Sequence, residues 1–223
     1  MERGALNKSA PFLSMLKIYA VPISLYCAKL RIVLRHKQLE WQEVAPPGGY
    51  GSEQYRQLIP GGNLPAMDDD GLIISDSEAI GEYLNEKHPD PDMLPGDAAE
   101  RAGLRNLSRF HDTRLEPALR ALFPFIASTE RTNEDVTRLW SVLINRVQQI
   151  EALLPDSPRA LTLADCGVPI TATWIEVLAN HFERVPQNST RFQTYLREVR
   201  RHQAVRAELE DYRPRLNAWL NNQ

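Results

Sequence analysis

Leu16-Lys17-Ile18-Tyr19-Ala20-Val21-Pro22-Ile23-Ser24-Leu25-Tyr26-Cys27 is the stretch on which the fold turns. Leu16 to Ala20 is a short apolar run of the kind a buried strand needs, and Val21 to Ser24 is a turn. From Leu25 to Lys37 the spacing becomes helical, with Leu30, Val33 and Leu34 three and four apart and Lys29, Arg31 and Arg35 on other faces. Ser24 thus stands just before the first turn of a helix, where backbone N–H groups are unpaired and the local potential favours an anion. A cysteine at position 24 would complete a Cys-x-x-Cys dithiol site with Cys27; the hydroxyl removes that chemistry but still donates to a bound thiolate. Because a free thiol has a pKa of about 8.5, such donors raise its reactive fraction at neutral pH. A plain helix cap is an equally good reading of Ser24, and Cys27 reads as a small buried hydrophobe.

Working outward, Trp41 to Val44 is a second strand, halted by Pro46-Pro47-Gly48-Gly49, and Ser52 caps a short helix through Leu58. After Pro60-Gly61-Gly62-Asn63, Leu64 to Met67 opens a third strand. Asp69-Asp70-Gly71 turns it into Leu72-Ile73-Ile74 as an antiparallel hairpin. Ser75 is expected to open a helix through Lys87, giving β-α-β-α-β-β-α. Leu64-Pro65 at the head of a strand is a candidate cis bond, which would turn the Leu64 N–H and C=O outward for an extended peptide. Asp76-Ser77 places a carboxylate, a hydroxyl and free N–H groups at a helix start. That suits a ligand carboxylate with Asp76 facing a ligand ammonium, although an ordinary cap reads the same way.

After Pro95-Gly96 strand signals vanish. The spacing predicts helices over Ala98–Phe125 with a perturbation at Pro117, Asn133–Leu154, Thr162–Asn180, Thr190–Arg200, Ala204–Tyr212 and Pro214–Leu220. The organisation expected is a loosely held leader over 1–14, a mixed α/β domain over 15–89, a linker over 90–97 and an all-helical domain over 98–223. Hydrophobic residues are 43% of the 223 and charged residues 25%, as in globular proteins. With 26 Lys plus Arg against 29 Asp plus Glu, there is no basic excess to recruit nucleic acid. Cys27 and Cys166 are too few for a disulfide framework, no apolar run nears the roughly 20 residues of a membrane span, and no His/Cys/Asp cluster has metal-ligand spacing. A cytoplasmic protein is expected.

Leu16-Lys17-Ile18-Tyr19, Pro22-x-Ser24-x-x-Cys27-x-Lys29-Leu30-Arg31, Asn63-Leu64-Pro65-Ala66-Met67 and Asp76-Ser77-Glu78-Ala79-Ile80-x-x-Tyr83-Leu84 together resemble the glutathione S-transferase family, in its bacterial Ser-x-x-Cys form. Leu161-Thr162-Leu163-Ala164-Asp165 is similar to the buried capping box of that family's helical domain. The resemblance implies a thioredoxin-like N-terminal domain (α/β) followed by an all-α domain, and glutathione as co-substrate. It implies Ser24 as the catalytic hydroxyl, Leu64 pairing with the cysteinyl backbone, Pro65 as the cis-proline, Ser77 holding the γ-glutamyl carboxylate and Asp76 near that end. Asp76 is one carbon shorter than the family's usual Glu. The contact to the glycyl end is unassigned, with Tyr50 and Gln57 as candidates. The first long helix of the second domain is expected to line the electrophile site through His111 and Arg114. The function implied is addition of the glutathione thiolate to a small electrophile by a homodimer. A glutathione-dependent isomerase, a reductive dehalogenase and a non-catalytic binding scaffold remain the alternatives.

Overall fold

The computed structural model describes residues 15–127, 133–155, 160–186 and 189–223, so the expected leader over 1–14 lies outside the described residues. The N-terminal part runs β1 (Leu16–Tyr19), α1 (Leu25–His36), β2 (Trp41–Val44), α2 (Glu53–Leu58), β3 (Ala66–Asp69), β4 (Leu72–Ser75) and α3 (Ser77–Lys87). The sheet order is β2-β1-β3-β4. β1 and β2 are parallel across the α1 crossover, and β3 is antiparallel to both β1 and β4. Asp70 and Gly71, both at positive φ, make the tight turn between β3 and β4, and Gly71 donates to Asp68 Oδ1 at 2.9 Å. β4 extends one residue further than its apolar run because Ser75 still pairs with Ala66. The next helix therefore opens at Ser77 with Asp76, not Ser75, as its cap.

The rest is helical: α4 (Ala98–Phe110), α5 (Glu116–Arg120), α6 (Asn133–Glu151), α7 (Val168–His181), α8 (Thr190–Val199) and α9 (Gln203–Leu220). Residues 111–115 form a π-helical turn between α4 and α5, where the single long helix was expected. Pro117 has no N–H to give and its ring crowds the carbonyl four residues back, so the preceding turn widens. Glu116 N–H reaches the His111 carbonyl, five residues back. Pro214 has the opposite outcome: α9 runs through it, where two helices were expected. Pro214 and Glu210 lie on the exposed face, where a carbonyl left without a helical partner can be met by solvent. Burial of Tyr212 and Leu216 on the other face outweighs the interruption.

The apolar core is continuous from the sheet to α7 and α9. α7, strongly apolar, is buried on nearly every face. It starts at Val168 rather than at Thr162, after a separate 3-10 turn over Leu163–Asp165. There Asp165 Oδ2 accepts from Thr162 N–H at 2.9 Å and from Thr162 Oγ1 at 2.7 Å, while Tyr195 Oη donates to Oδ1 at 2.6 Å. Among the described residues, no helix is long and apolar enough to cross a membrane.

Candidate active site

Ser24 caps α1. Its Oγ accepts from Cys27 N–H at 3.3 Å, in the extended conformation that caps adopt. Capping uses a lone pair of the hydroxyl and leaves its proton to donate, so the cap and the thiol ligand are compatible roles for one oxygen. The turn before it is held on three consecutive carbonyls. Arg31 Nη2 donates to Val21 O at 3.3 Å, Arg31 Nη1 to Pro22 O at 3.4 Å, and Tyr212 Oη to Ile23 O at 2.7 Å. Cys27 is buried, and that burial pushes its thiol up, partly offset by Ser24, so it stays protonated behind the site.

Leu64-Pro65 is cis. Among the described residues, neither the Leu64 N–H nor its C=O has a hydrogen-bond partner, although the residue is largely buried. Asp76, at φ 88°, spends Oδ1 on the N–H groups of Glu78 (2.9 Å) and Ala79 (3.1 Å). Ser77, the first residue of α3, keeps both its N–H and its hydroxyl without a described partner. The Leu64 peptide groups and the Ser77 N–H and hydroxyl thus carry donors and acceptors open to a ligand, and of these residues Leu64 shares a cavity with Ser24.

Beside Ser24 lies a cavity of about 510 Å³. Its walls include Ile23, Ser24, Leu64 and five aromatic residues: Tyr26, Tyr50, Phe123, Trp174 and Trp219. Phe123 stacks on Trp174 at 4.7 Å and Trp219 meets Trp174 edge-on at 5.7 Å. Arg120 is the charged side chain among the lining residues. Its Nη2 pairs with Glu116 and its guanidinium lies 5.6 Å from the Phe123 ring centre. Tyr26 Oη sits 3.0 Å from the Asp112 carbonyl and 3.1 Å from Glu116 Oε2. Burial, then the Glu116 and Asp112 charges, hold its phenol well above the ordinary value.

The two residues expected from the helical domain are not in this wall. His111 is 1% exposed, with Nδ1 2.7 Å from Asp112 Oδ1 and Nε2 2.7 Å from Thr171 Oγ1. Arg114 is exposed and absent from the lining residues. The expectation assumed an unbroken 3.6-residue period, and the π turn rotates everything after it by roughly one residue, about 100°. Arg120 is the residue that sequence spacing missed. The perturbation marked by Pro117 was the available signal. Tyr50 reaches the cavity, whereas Gln57 is exposed on α2 and does not line it.

His111 is locked from a third side: a Cβ on Gly167 would lie 2.4 Å from its Cε1. With both ring nitrogens engaged the imidazole cannot swing away. Gly167→Ala is therefore expected to cost about 1–3 kcal/mol of folding stability, the usual penalty for overpacking, seen as a lowered urea midpoint.

A family model described as "Glutathione S-transferase, N-terminal domain" matches residues 18–92. The Stringent starvation protein A homolog of Histophilus somni is 25% identical over 81% of this chain and 90% of its own length. The maleylacetoacetate isomerase of Rattus norvegicus is 35% identical, over 40% of this chain and 44% of its own. Among solved structures, a glutathione S-transferase from Rhodospirillum rubrum F11 is 26% identical and superposes with a TM-score of 0.69, covering 87% of this chain and 92% of that one. Residues 18–92 thus match the glutathione S-transferase N-terminal domain, and the described chain has the glutathione S-transferase fold, a thioredoxin-like N-terminal part followed by a helical region.

Proposed function

We propose that this chain is a glutathione-dependent enzyme that binds the tripeptide along Leu64 and Ser77 and stabilises its thiolate with the Ser24 hydroxyl. A small electrophile then occupies the neighbouring aromatic cavity. The observation that carries this reading is the convergence on one cavity of Ser24, at a helix N-terminus, and of Leu64, with its peptide groups unpaired. When bound, glutathione supplies the nucleophilic sulfur. Ser24 keeps that sulfur anionic, Leu64 and Ser77 fix its position, Asp76 stands near the ammonium end, and Tyr26, Phe123, Trp174 and Trp219 exclude water from the acceptor. Calorimetric titration of glutathione into the protein is expected to give saturable heat, with a thiolate absorbance band in the difference spectrum. Absence of both would leave a non-catalytic binding scaffold.

Arg120 favours acceptors that carry an acidic group. One Nη is committed to Glu116, and its other N–H groups are available to a carboxylate beside the sulfur. Such an acceptor either keeps the sulfur, which is conjugation, or releases it after bond rotation, which is isomerisation. The similarity to a maleylacetoacetate isomerase supports giving the second outcome equal weight. Arg120→Met is expected to raise KM for a carboxylated acceptor about tenfold or more, the value of one charge-assisted hydrogen bond, and to leave a neutral acceptor within about twofold. Equal losses for both acceptors would remove Arg120 from substrate recognition.

The assembly proposed is a homodimer, in keeping with the exposure of Leu72 and Ile73 on the edge strand β4. The setting proposed is the cytoplasm, in keeping with two free, buried cysteines.

A further inference from the structure

The Ile23 carbonyl, immediately before Ser24, is held by a hydroxyl from the far end of the chain. Tyr212, on the last helix α9, donates to it at 2.7 Å, and Tyr212 Oη in turn accepts from the Trp174 indole N–H at 2.6 Å. Burial keeps the Tyr212 phenol well above its ordinary value, so it remains a donor at any working pH. Trp174 is also a wall of the acceptor cavity. One buried relay therefore joins that wall to the turn carrying the Ser24 hydroxyl, through residues 189 positions apart in sequence.

We propose that Tyr212 is a positioning residue for Ser24: the Trp174–Tyr212–Ile23 relay sets the placement of the Ser24 hydroxyl against the thiol and couples it to the wall of the acceptor cavity. Without the Tyr212 hydroxyl, the Ile23 carbonyl loses the neighbour that orients the peptide leading into Ser24. The helix cap is then free to sample orientations in which the proton points away from the sulfur. Leu64 and Ser77 lie on other elements, so tripeptide affinity is untouched. This inference rests on the proposed role of Ser24.

The test compares Tyr212→Phe with Tyr195→Phe, which removes an equally buried hydroxyl at Asp165, away from the cavity. Tyr212→Phe is expected to raise the pKa of the bound glutathione thiol by roughly 0.5–1 unit, and so to cut kcat about 3- to 10-fold at pH 6.5, since one unit is tenfold in thiolate. KM for glutathione stays within about twofold. Tyr195→Phe lowers thermal stability and leaves the pH profile in place. A second readout needs no glutathione: the pH dependence of iodoacetamide reaction with the thiol introduced by Ser24→Cys should move the same way when Tyr212→Phe is added. If Tyr212→Phe does not fold, Trp174→Phe, which deletes the relay's first donor, takes its place with the same expected direction. A variant that loses stability alone, with both pH profiles unmoved, overturns the proposal. Wild-type protein that forms no glutathione thiolate overturns the function of Ser24 instead.

Discussion

Ser24→Ala is expected to lower kcat for glutathione transfer by about 100-fold, the scale of losing one preorganised donor to a developing or resting anion. KM for glutathione should stay within about threefold, because in the proposed binding mode Leu64 and Ser77 hold the tripeptide independently of its sulfur. The loss has a pH signature. Without the donor, the bound thiol returns toward the free value of about 8.5, so the acid limb of the kcat profile moves to higher pH and the deficit narrows above pH 9. Stability falls too, but only by about 1 kcal/mol, since the same oxygen caps α1 through Cys27 N–H. The two effects separate cleanly: Ser24→Asp restores the cap without placing a donor at the sulfur, so it recovers melting temperature and not turnover. A Ser24→Ala enzyme with unchanged rate and unchanged pH profile would take the hydroxyl out of the chemistry.

Local rules made much of this molecule readable. The β-α-β-α-β-β-α order follows from apolar period and turn residues, and Asp70-Gly71 is the turn those residue types demand. Thr162 and Asp165 form their box because capping depends on residues three apart. What sequence spacing could not reach was set by distant partners. Lys29 and Arg31 read as a polar face of α1, yet they are 2% and 4% exposed, because the helical domain covers that face and brings carboxylates with it. A polar stripe looks the same whether it meets water or another domain's charges. Arg31 finds Glu43 and Glu208, from β2 and α9. Which helical residues share the cavity with Ser24 was hidden for a related reason: the π turn depends on how Pro117 is accommodated, and Arg120 and Phe123 follow it.

Lys29→Met carries the largest expected effect on folding. Lys29 Nζ lies 2.7 Å from Glu78 Oε2, 2.8 and 3.1 Å from the Asp112 oxygens and 3.3 Å from Ser108 Oγ, which itself donates to Glu78 at 2.6 Å. Burial alone would push the ammonium down, but Asp112 and Glu78 outweigh it and the net direction is up. Burial likewise works to raise Asp112, and His111 and Lys29 reverse it, leaving a pKa of about 2. An ammonium and two carboxylates, from α1, α3 and the π turn, therefore stand or fall together. Removing the cation leaves two buried carboxylates, Glu78 with only the Ser108 hydroxyl and Asp112 with only His111 as side-chain partners, which costs about 3–5 kcal/mol. For a chain of this size that is a fall of roughly 10 °C in melting temperature. The pH dependence fixes the cause. In the wild type the depressed Asp112 favours folding above about pH 4, and that contribution is lost as pH falls toward 2. In Lys29→Met burial is opposed by His111 alone, so the carboxyl is less depressed and the variant gains less stability than the wild type as pH rises through the carboxyl range. The gap between the two proteins should accordingly shrink when urea unfolding is repeated at pH 3 instead of 7.5. Adding Asp112→Asn and Glu78→Gln to the variant should recover part of the loss, because neutral amides need no counter-charge. A gap that is constant with pH, or below about 1 kcal/mol, would mean that Lys29 contributes through its methylene packing and not its charge. Because Lys29 lies on the helix that Ser24 caps, the expected loss also bears on the proposed site: loosening α1 from α3 and from the helical region displaces the Ser24 hydroxyl and the aromatic cavity relative to each other.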